Sequence, residues 1–385
     1  MHVLIWVTHL LGVGHFHRAV RIARELVAAG ARVTLASGGF PLADVRLGDF
    51  EVVQLDPVAS PDATFKRLVD RSGNDVGDDT FARRRDQLIE VARARRPAVI
   101  LTELFPFGRW KFQAELVPLI EDQRARADRP AIVASIRDIL VPPKKASRGD
   151  VIRHLTTTYF DAILVHGDAA FVRLEETLPL AAEFAERVVY TGYVVPDHDA
   201  AADTRDGEGA VVVSAGGSAF GGDLLRTALE ARPLTSLARA PWRVLAANGL
   251  PRETFEALRT LAGRQTGVVV ERSRPDFPEL LTRARLSVSQ AGYNTVCDVL
   301  AARIPAVLTP FAEADESEQS ARVDLLAQRG LAVVVKDDPL TRDAMAGAID
   351  AAARLTIDAS RMPRLDGARN TARALFDQAQ RLGHG

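Results

Sequence analysis

The sequence has 385 residues and a single cysteine, Cys297. No internal disulfide can form, which excludes a disulfide-stapled scaffold and suits a reducing compartment. A charge excess is missing as well. Forty-nine Lys and Arg stand against fifty Asp and Glu, for a net charge of -1, so no electrostatic footprint for nucleic acid shows. Long apolar runs are also absent. The stretch His2-Val-Leu-Ile-Trp-Val-Thr-His9 is short for a signal-peptide core and carries no basic run ahead of it. Nothing approaches the ~18 apolar residues of a spanning helix. The chain is therefore expected to be soluble and cytoplasmic. With 47% hydrophobic and 26% charged residues, it has ordinary globular usage and length for two domains at roughly 100–200 residues each.

Short apolar runs alternate with helical spacing throughout. Val3 to Val7 reads as a strand buried on both faces. A glycine turn, Leu11-Gly-Val-Gly14, follows it, and Ala19, Ile22, Ala23, Leu26 and Val27 then recur at helical spacing up to Gly30. Arg32 to Ala36 is a second strand, which completes a β–loop–α–β unit and implies a parallel sheet. Ala98 to Leu101, Ala131 to Ser135 and Ala162 to His166 continue the series. Asp197 to Gly209 is polar and rich in Asp, Gly and Ala, and reads as a linker. A second series follows: Ala210 to Ser214, Trp242 to Ala246, Gly267 to Val270, Leu286 to Ser289, Ala306 to Leu308 and Leu331 to Val335. Asp366 to Leu382 reads as an amphipathic helix with a stripe available to pack back on the N-terminal half. The expected class is α/β, two tandem Rossmann-like doubly wound domains: 1–196, a linker over 197–209, 210–365, and a terminal helix over 366–385. Ligands in such folds sit at the carboxyl ends of the strands, which directs attention to the glycine loops.

Several common loop motifs are incomplete. Gly12-Val-Gly14-His15-Phe-His17 has a histidine at the third position of G-x-G-x-x-G, and Ser37-Gly-Gly39 replaces the acidic residue that would hold a ribose, so a nicotinamide enzyme is disfavoured. No G-x-x-x-x-G-K-[ST] occurs. The nucleophile elbow G-x-S-x-G fails at Phe220, although Gly216 and Ser218 are correctly spaced. The loop Ser214-Ala-Gly216-Gly217-Ser218 between strand and helix reads either as an anion site, with close backbone approach and free helix N–H groups, or as a plain flexible turn. In Ser289-Gln-Ala291-Gly292-Tyr293-Asn294-Thr295-Val-Cys-Asp298, the carboxylate of Asp298 is expected in the first helical turn. There it would either answer the helix dipole or grip a ribose diol. His15 and His17 have no further ligand cluster to complete a metal site, so no metal is expected. Asp197-His-Asp199 spells D-x-D in the linker and reads as incidental.

These loops, together with Ile304-Pro-Ala-Val-Leu-Thr-Pro310, Glu318-Gln319 and Leu325 to Gly330 in that order, carry a resemblance. The second half resembles the donor domain of GT-B glycosyltransferases, two Rossmann-like domains facing a cleft. It is similar in particular to the MurG-like N-acetylglucosaminyltransferases of peptidoglycan synthesis and their relatives. Gly216-Gly217-Ser218 fits that family's loop opening the second domain, and Gly12-Val-Gly14-His15 fits its N-terminal glycine–histidine loop. The resemblance is weaker between Pro41 and Pro196.

The resemblance implies a metal-independent and inverting glycosyltransferase that uses a nucleotide-sugar, of the UDP class, as co-substrate and needs no cofactor. It implies that Asp298 replaces the family's ribose glutamate with a reach one methylene shorter, and that Gln319 lies near the donor sugar. Glu318 stands where the peptidoglycan enzyme has glutamine, which puts N-acetylglucosamine in doubt. Arg272, in a turn Val270 to Ser273, falls near the base-holding backbone. His15 suits a general base, with helix capping or phosphate binding as its other reading. Glu103 and Asp138 follow strands and would be bases or caps on the acceptor side. Leu104-Phe-Pro-Phe-Gly-Arg109-Trp-Lys-Phe112 interleaves aromatics with bases and reads as core aromatics with a solvated rim, or as a surface for the acceptor or a membrane. The expected acceptor is a small molecule or lipid-linked, with no nucleic acid partner and, in the lipid-linked case, peripheral contact with the inner membrane face. A nucleotide-sugar hydrolase, an epimerase of the same fold and a non-catalytic sugar-nucleotide binder are the other readings.

Overall fold

Two parallel sheets organise the chain. The computed structural model describes residues 1–42, 47–62, 65–143, 145–196, 206–216, 221–310, 317–337 and 339–384. Gly217, Ser218, Asp197 and Asp199, and most of the expected linker, lie outside the described residues. The first sheet contains β1 (His2–Val7), β2 (Arg32–Ser37), β3 (Glu51–Gln54), β4 (Val99–Glu103), β5 (Ala131–Arg137), β6 (Ala162–His166) and β7 (Val188–Tyr190), in the order β3-β2-β1-β4-β5-β6-β7. The second contains β8 (Val211–Ser214), β9 (Trp242–Ala246), β10 (Val268–Arg272), β11 (Leu286–Gln290), β12 (Ala306–Thr309) and β13 (Val333–Val334), in the order β10-β9-β8-β11-β12-β13. All the pairings are parallel.

Burial on both faces explains the apolar runs. β1 and β4 are buried at every position, and their side chains divide between two cores with period two. Leu4, Trp6, Ile100 and Ile132 join one core. Val3, Ile5, Val99, Leu101, Val133 and Leu164 join the other, where they meet Ala19, Ile22 and Leu26 of the helix Gly14–Ala28 and Ala372, Leu375 and Ala379 of the helix Gly367–Arg381. That last helix belongs to the first compact unit, Met1–Val194 with Pro363–Gly385, while Val195–Met362 forms the second. In the second unit β8, β9 and β11 share a core with the helices Gly222–Ala231 and Arg342–Ala353.

Most strands fall within a residue or two of their sequence-based bounds. β3 and β7 are exceptions: they are short edge strands, exposed or half-buried throughout, and their apolar runs of two and three residues are too short to stand out. The expected strand Leu331 to Val335 contracts to β13, and the expected turn over Val270 to Ser273 is instead the end of β10, which runs to Arg272.

Each sheet reverses its strand order at one place. In the first, β1 lies beside β4, and in the second, β8 lies beside β11. At such a switch point the loops leaving two adjacent strands diverge and open a crevice outside their carboxyl ends.

Candidate functional site

In the first unit, the face carrying Leu101, Val133 and Leu164 ends in a row of polar side chains. Glu103 closes β4, Ser135 is paired with it on β5, and His166 closes β6. The helix Gly14–Ala28 comes down over this row and delivers His15 and Arg18. His15 Nδ1 is 2.8 Å from Glu103 Oε1. Arg18 forms an ion pair with the same oxygen, and both side chains are almost wholly buried, at 2% and 3% exposure. Ser135 Oγ lies 2.6 Å from Glu103 Oε2. Burial pushes the Glu103 carboxyl up, but the Arg18 cation and the His15 hydrogen bond more than reverse it and hold the group far below the usual carboxylate range.

An ionised carboxylate only accepts hydrogen bonds. His15 must therefore donate Nδ1–H to Glu103, which leaves the Nε2 lone pair unprotonated. Arg18 Nη2 lies 3.2 Å from the same Nδ1, so two donors share one carboxylate oxygen. Burial lowers the His15 pKa to about 3, against the opposing pull of Glu103 and assisted by the Arg109 and Arg18 cations. At neutral pH the imidazole is uncharged. The helix starts after Val13, with no side-chain cap, so His15 lies inside the first turn and does not cap it. Gly12 is exposed, and a Cβ there would meet nothing within 4 Å.

Arg109 sits in the loop after β4 with left-handed backbone, φ 60°. Burial and the neighbouring Arg137 cation lower its pKa to about 10, and Glu103 offsets this in part. Asp138 is wholly buried. Its Oδ2 accepts from Tyr193 Oη at 2.8 Å and its Oδ1 from the Ile139 N–H at 2.9 Å, so it anchors the chain after β5. Of the aromatic segment, Phe105 and Phe112 are core. Phe107 and Trp110 instead line a cavity of about 410 Å³ with Leu140, Lys145 and Arg148, and the Arg148 guanidinium lies 5.5 Å from the Trp110 ring centroid.

In the second unit, Ser214 of β8 is paired with Ser289 of β11, so two glycine loops leave side by side. Gly216 takes φ +67°, a left-handed conformation open to glycine, and a Cβ there would stand 3.6 Å from Thr295 Oγ1. At Gly221 a Cβ would fall 1.9 Å from the Ala215 Cβ. That residue must therefore be glycine to sit against Ala215 at the end of β8. The N-cap residues of the helices Gly222–Ala231 and Tyr293–Ala302 are the glycines Gly221 and Gly292, which offer no side chain of their own to the first N–H groups, an arrangement that suits an anion. Ala291 and Tyr293 are buried, and Asn294 Oδ1 is a buried acceptor with no hydrogen-bond partner among the described residues. Asp298 is buried but lies in the second turn of the helix Tyr293–Ala302, because the helix begins at Tyr293. The helix-dipole reading of its carboxylate is thereby removed. Glu318 and Gln319 are buried in the opening turn of the helix Ser317–Gln328.

Comparison with known proteins supports the fold and the general activity. Residues 211–366 match the model of the glycosyltransferase family 28 C-terminal domain. The UDP-N-acetylglucosamine--N-acetylmuramyl-(pentapeptide) pyrophosphoryl-undecaprenol N-acetylglucosamine transferase of Methylorubrum populi is 25% identical over 96% of this chain and 92% of its own. The protein of the same name from Phenylobacterium zucineum is 36% identical over 107 residues, a match spanning 28% of each chain. The crystal structure of Acinetobacter baumannii MurG covers 98% of this chain and 100% of its own, with a TM-score of 0.57 at 13% identity. The chain is a glycosyltransferase of the GT-B type.

In this glycosyltransferase the structure brings His15 and Glu103 together and gathers the two glycine loops of the second unit. Arg272 Nη1 donates to Ala247 O at 2.8 Å and Leu250 O at 3.0 Å, and the guanidinium stacks 4.0 Å from the Phe255 centroid. Arg272 holds the loop after β9. Arg18, Ser135, Arg137 and His166 carry no motif in the sequence. For Ser135, Arg137 and His166 the one signal is a polar residue at or near the end of an otherwise apolar strand, as in Ala162-Ile-Leu-Val-His166; Arg18, inside a helix, has none. Among the described residues no group of three or more His, Cys, Asp or Glu could hold a metal ion, and no helix is long and apolar enough to cross a membrane.

Proposed function

We propose that the protein transfers a sugar from a UDP-class nucleotide-sugar to an acceptor hydroxyl, with inversion and without a metal, using His15 as general base. The observation that carries this reading is the 2.8 Å pair of His15 Nδ1 and Glu103 Oε1 at the switch point of the first sheet. The acceptor hydroxyl gives its proton to His15 Nε2 as its oxygen bonds to the sugar's anomeric carbon. The bond from that carbon to the diphosphate breaks, and the nucleoside diphosphate leaves. Glu103 meets the imidazolium charge as it forms.

The leaving diphosphate gathers negative charge, and the helix N-termini after Gly221 and Gly292 suit it. Asp298 accepts from the ribose hydroxyls, with Gly216, Gly217, Ser218 and Thr295 around the phosphates, and Gln319 and Glu318 face the sugar. The names of the relatives specify a UDP-linked donor and a pyrophosphoryl-undecaprenol acceptor. An anionic acceptor suits Arg109 beside Arg137, and a lipid-linked one implies working at the inner membrane face.

Thermal unfolding with UDP, dTDP, GDP, several UDP-sugars and NAD tests the donor class. UDP at about 100 times its dissociation constant should add roughly 2.7 kcal/mol, and Asp298→Ala should abolish the gain. Stabilisation by none of the nucleotides would sink the donor assignment. Transfer that persists in EDTA supports the metal-free reading, and UDP release that needs no acceptor would replace transfer by hydrolysis.

A further inference from the structure

The polar row does not stop at Ser135. Ser135 Oγ is 2.8 Å from His166 Nε2, and His166 Nδ1 is 3.0 Å from Thr191 Oγ1 and 3.4 Å from Thr371 Oγ1. Ser135, His166, Thr191 and Thr371 are all buried. The chain of contacts thus runs from His15 across the carboxyl ends of β4, β5 and β6 to the segment after β7 and to the terminal helix Gly367–Arg381.

Proton counting fixes its direction. Glu103 accepts only, so the single Ser135 hydrogen goes to Glu103 Oε2. The Ser135 oxygen must then accept from His166 Nε2–H. That leaves His166 Nδ1 as an acceptor for the Thr191 hydroxyl at 3.0 Å, since Thr371 Oγ1 donates to Gly367 O. Every link follows from the charge on Glu103, and that charge is held by the buried Arg18. The two histidines therefore carry their protons on opposite nitrogens: Nδ1 in His15 and Nε2 in His166.

We propose that Ser135 and His166 are positioning residues for the base: they hold Glu103 in the one rotamer that keeps the His15 proton on Nδ1 and its Nε2 open. The role rests on His15 being the base, but the order of hydrogen bonds does not. Without the Ser135 hydroxyl, Glu103 Oε2 loses a donor inside a buried site, and the carboxylate is free to turn toward Arg18 and away from His15. Thr371 of the Gly367–Arg381 helix gives its own hydrogen to Gly367 O at 2.7 Å, so it packs beside His166 without adding a donor.

Nitrogen-15 NMR of histidine-labelled protein at pH 7 reads the tautomers directly, with His15→Gln and His166→Gln to assign the signals. Opposite tautomers are expected in the unaltered protein. Ser135→Ala should turn the single His15 tautomer into a mixture, and Ser135→Thr, which keeps the hydroxyl, should restore it. Protons on the same nitrogen in both histidines, or a His15 signal indifferent to Ser135→Ala, would overturn the proposal. Because the first measurement uses the unaltered protein, a variant that fails to fold does not decide the matter. Turnover separates the two readings. If His15→Ala abolishes sugar transfer from a UDP-sugar and Ser135→Ala leaves it whole, the positioning role falls. If His15→Ala itself transfers normally, the base assignment falls, while the tautomers still report the hydrogen-bond order.

Discussion

Glu103 and His15, 88 positions apart in the chain, meet at 2.8 Å because β4 lies beside β1 and the first helix leads back over both. This pairing makes the histidine usable. A buried imidazole alone would be neutral but free to hold its proton on either nitrogen. The carboxylate selects Nδ1, and the Arg18 cation balances the carboxylate so that His15 does not become permanently charged.

The pH dependence follows from that balance. With the His15 pKa near 3 in the free protein, kcat/KM should show no acid limb at the ordinary histidine value of ~6.5. A pH–rate profile between 5 and 9 checks this, and an inflection centred near 6.5 would contradict it. His15→Ala should lower turnover by roughly 10²–10⁴ at every pH in that range.

Arg18→Met removes the cation that lowers His15 and stabilises ionised Glu103. The His15 pKa should rise, and an acid limb should move up toward neutrality. Loss of one partner of a buried pair also costs about 3–5 kcal/mol. NMR titration and urea unfolding measure the two effects separately, and a drop in stability with an unmoved His15 would show that Arg18 is only structural.

Stability should fall as the solution is acidified below the unfolded histidine value. His15 and His166 are lowered to about 3 and His17 to about 4, chiefly by burial. Between those values and ~6.5 the unfolded chain binds protons that the folded chain refuses, so stability rises with pH across that window and is level above it. Urea melts from pH 8 to pH 5 should show this slope, and His166→Gln should flatten it.

Gly221→Ala places a methyl where the Ala215 Cβ already stands, 1.9 Å away. Gly221 or Ala215 must shift, with an expected loss of about 1–3 kcal/mol and a weaker thermal response to UDP. An alanine variant that binds UDP at full strength would separate this loop from the donor.

Arg84 and Glu115 form a second buried pair, on the Trp6 side of the sheet, with both side chains at zero exposure. Arg84 Nη1 also donates to Gly38 O and Asp56 O, and Trp6 Nε1 donates to Glu115 Oε1. Arg84→Met should destabilise the protein by about 3–5 kcal/mol while leaving UDP affinity unchanged, as denaturation and ligand titration would show.

The local sequence was enough to determine the alternation of buried strands and helices, the two sheets, and the glycine loops after β1, β8 and β11. Strands buried on both faces must be apolar along their length, and a chain that turns closely at a strand end must use glycine; both demands leave marks within a few residues. His15, Glu103 and Asp298 were legible for the same reason, since each stands next to such a mark. Tertiary structure alone decided which of them meet. Arg18 looks like any helix arginine, and Ser135 and His166 like ordinary strand ends, until strand order lines up β4, β5 and β6 and lays two helices across them. It also moved Asp298 to the second turn of its helix, committed Arg272 to backbone carbonyls, and tied Asp138 to Tyr193. Partners dozens of residues apart leave no periodicity in the sequence, because their proximity is set by the order of strands in the sheet and not by spacing along the chain.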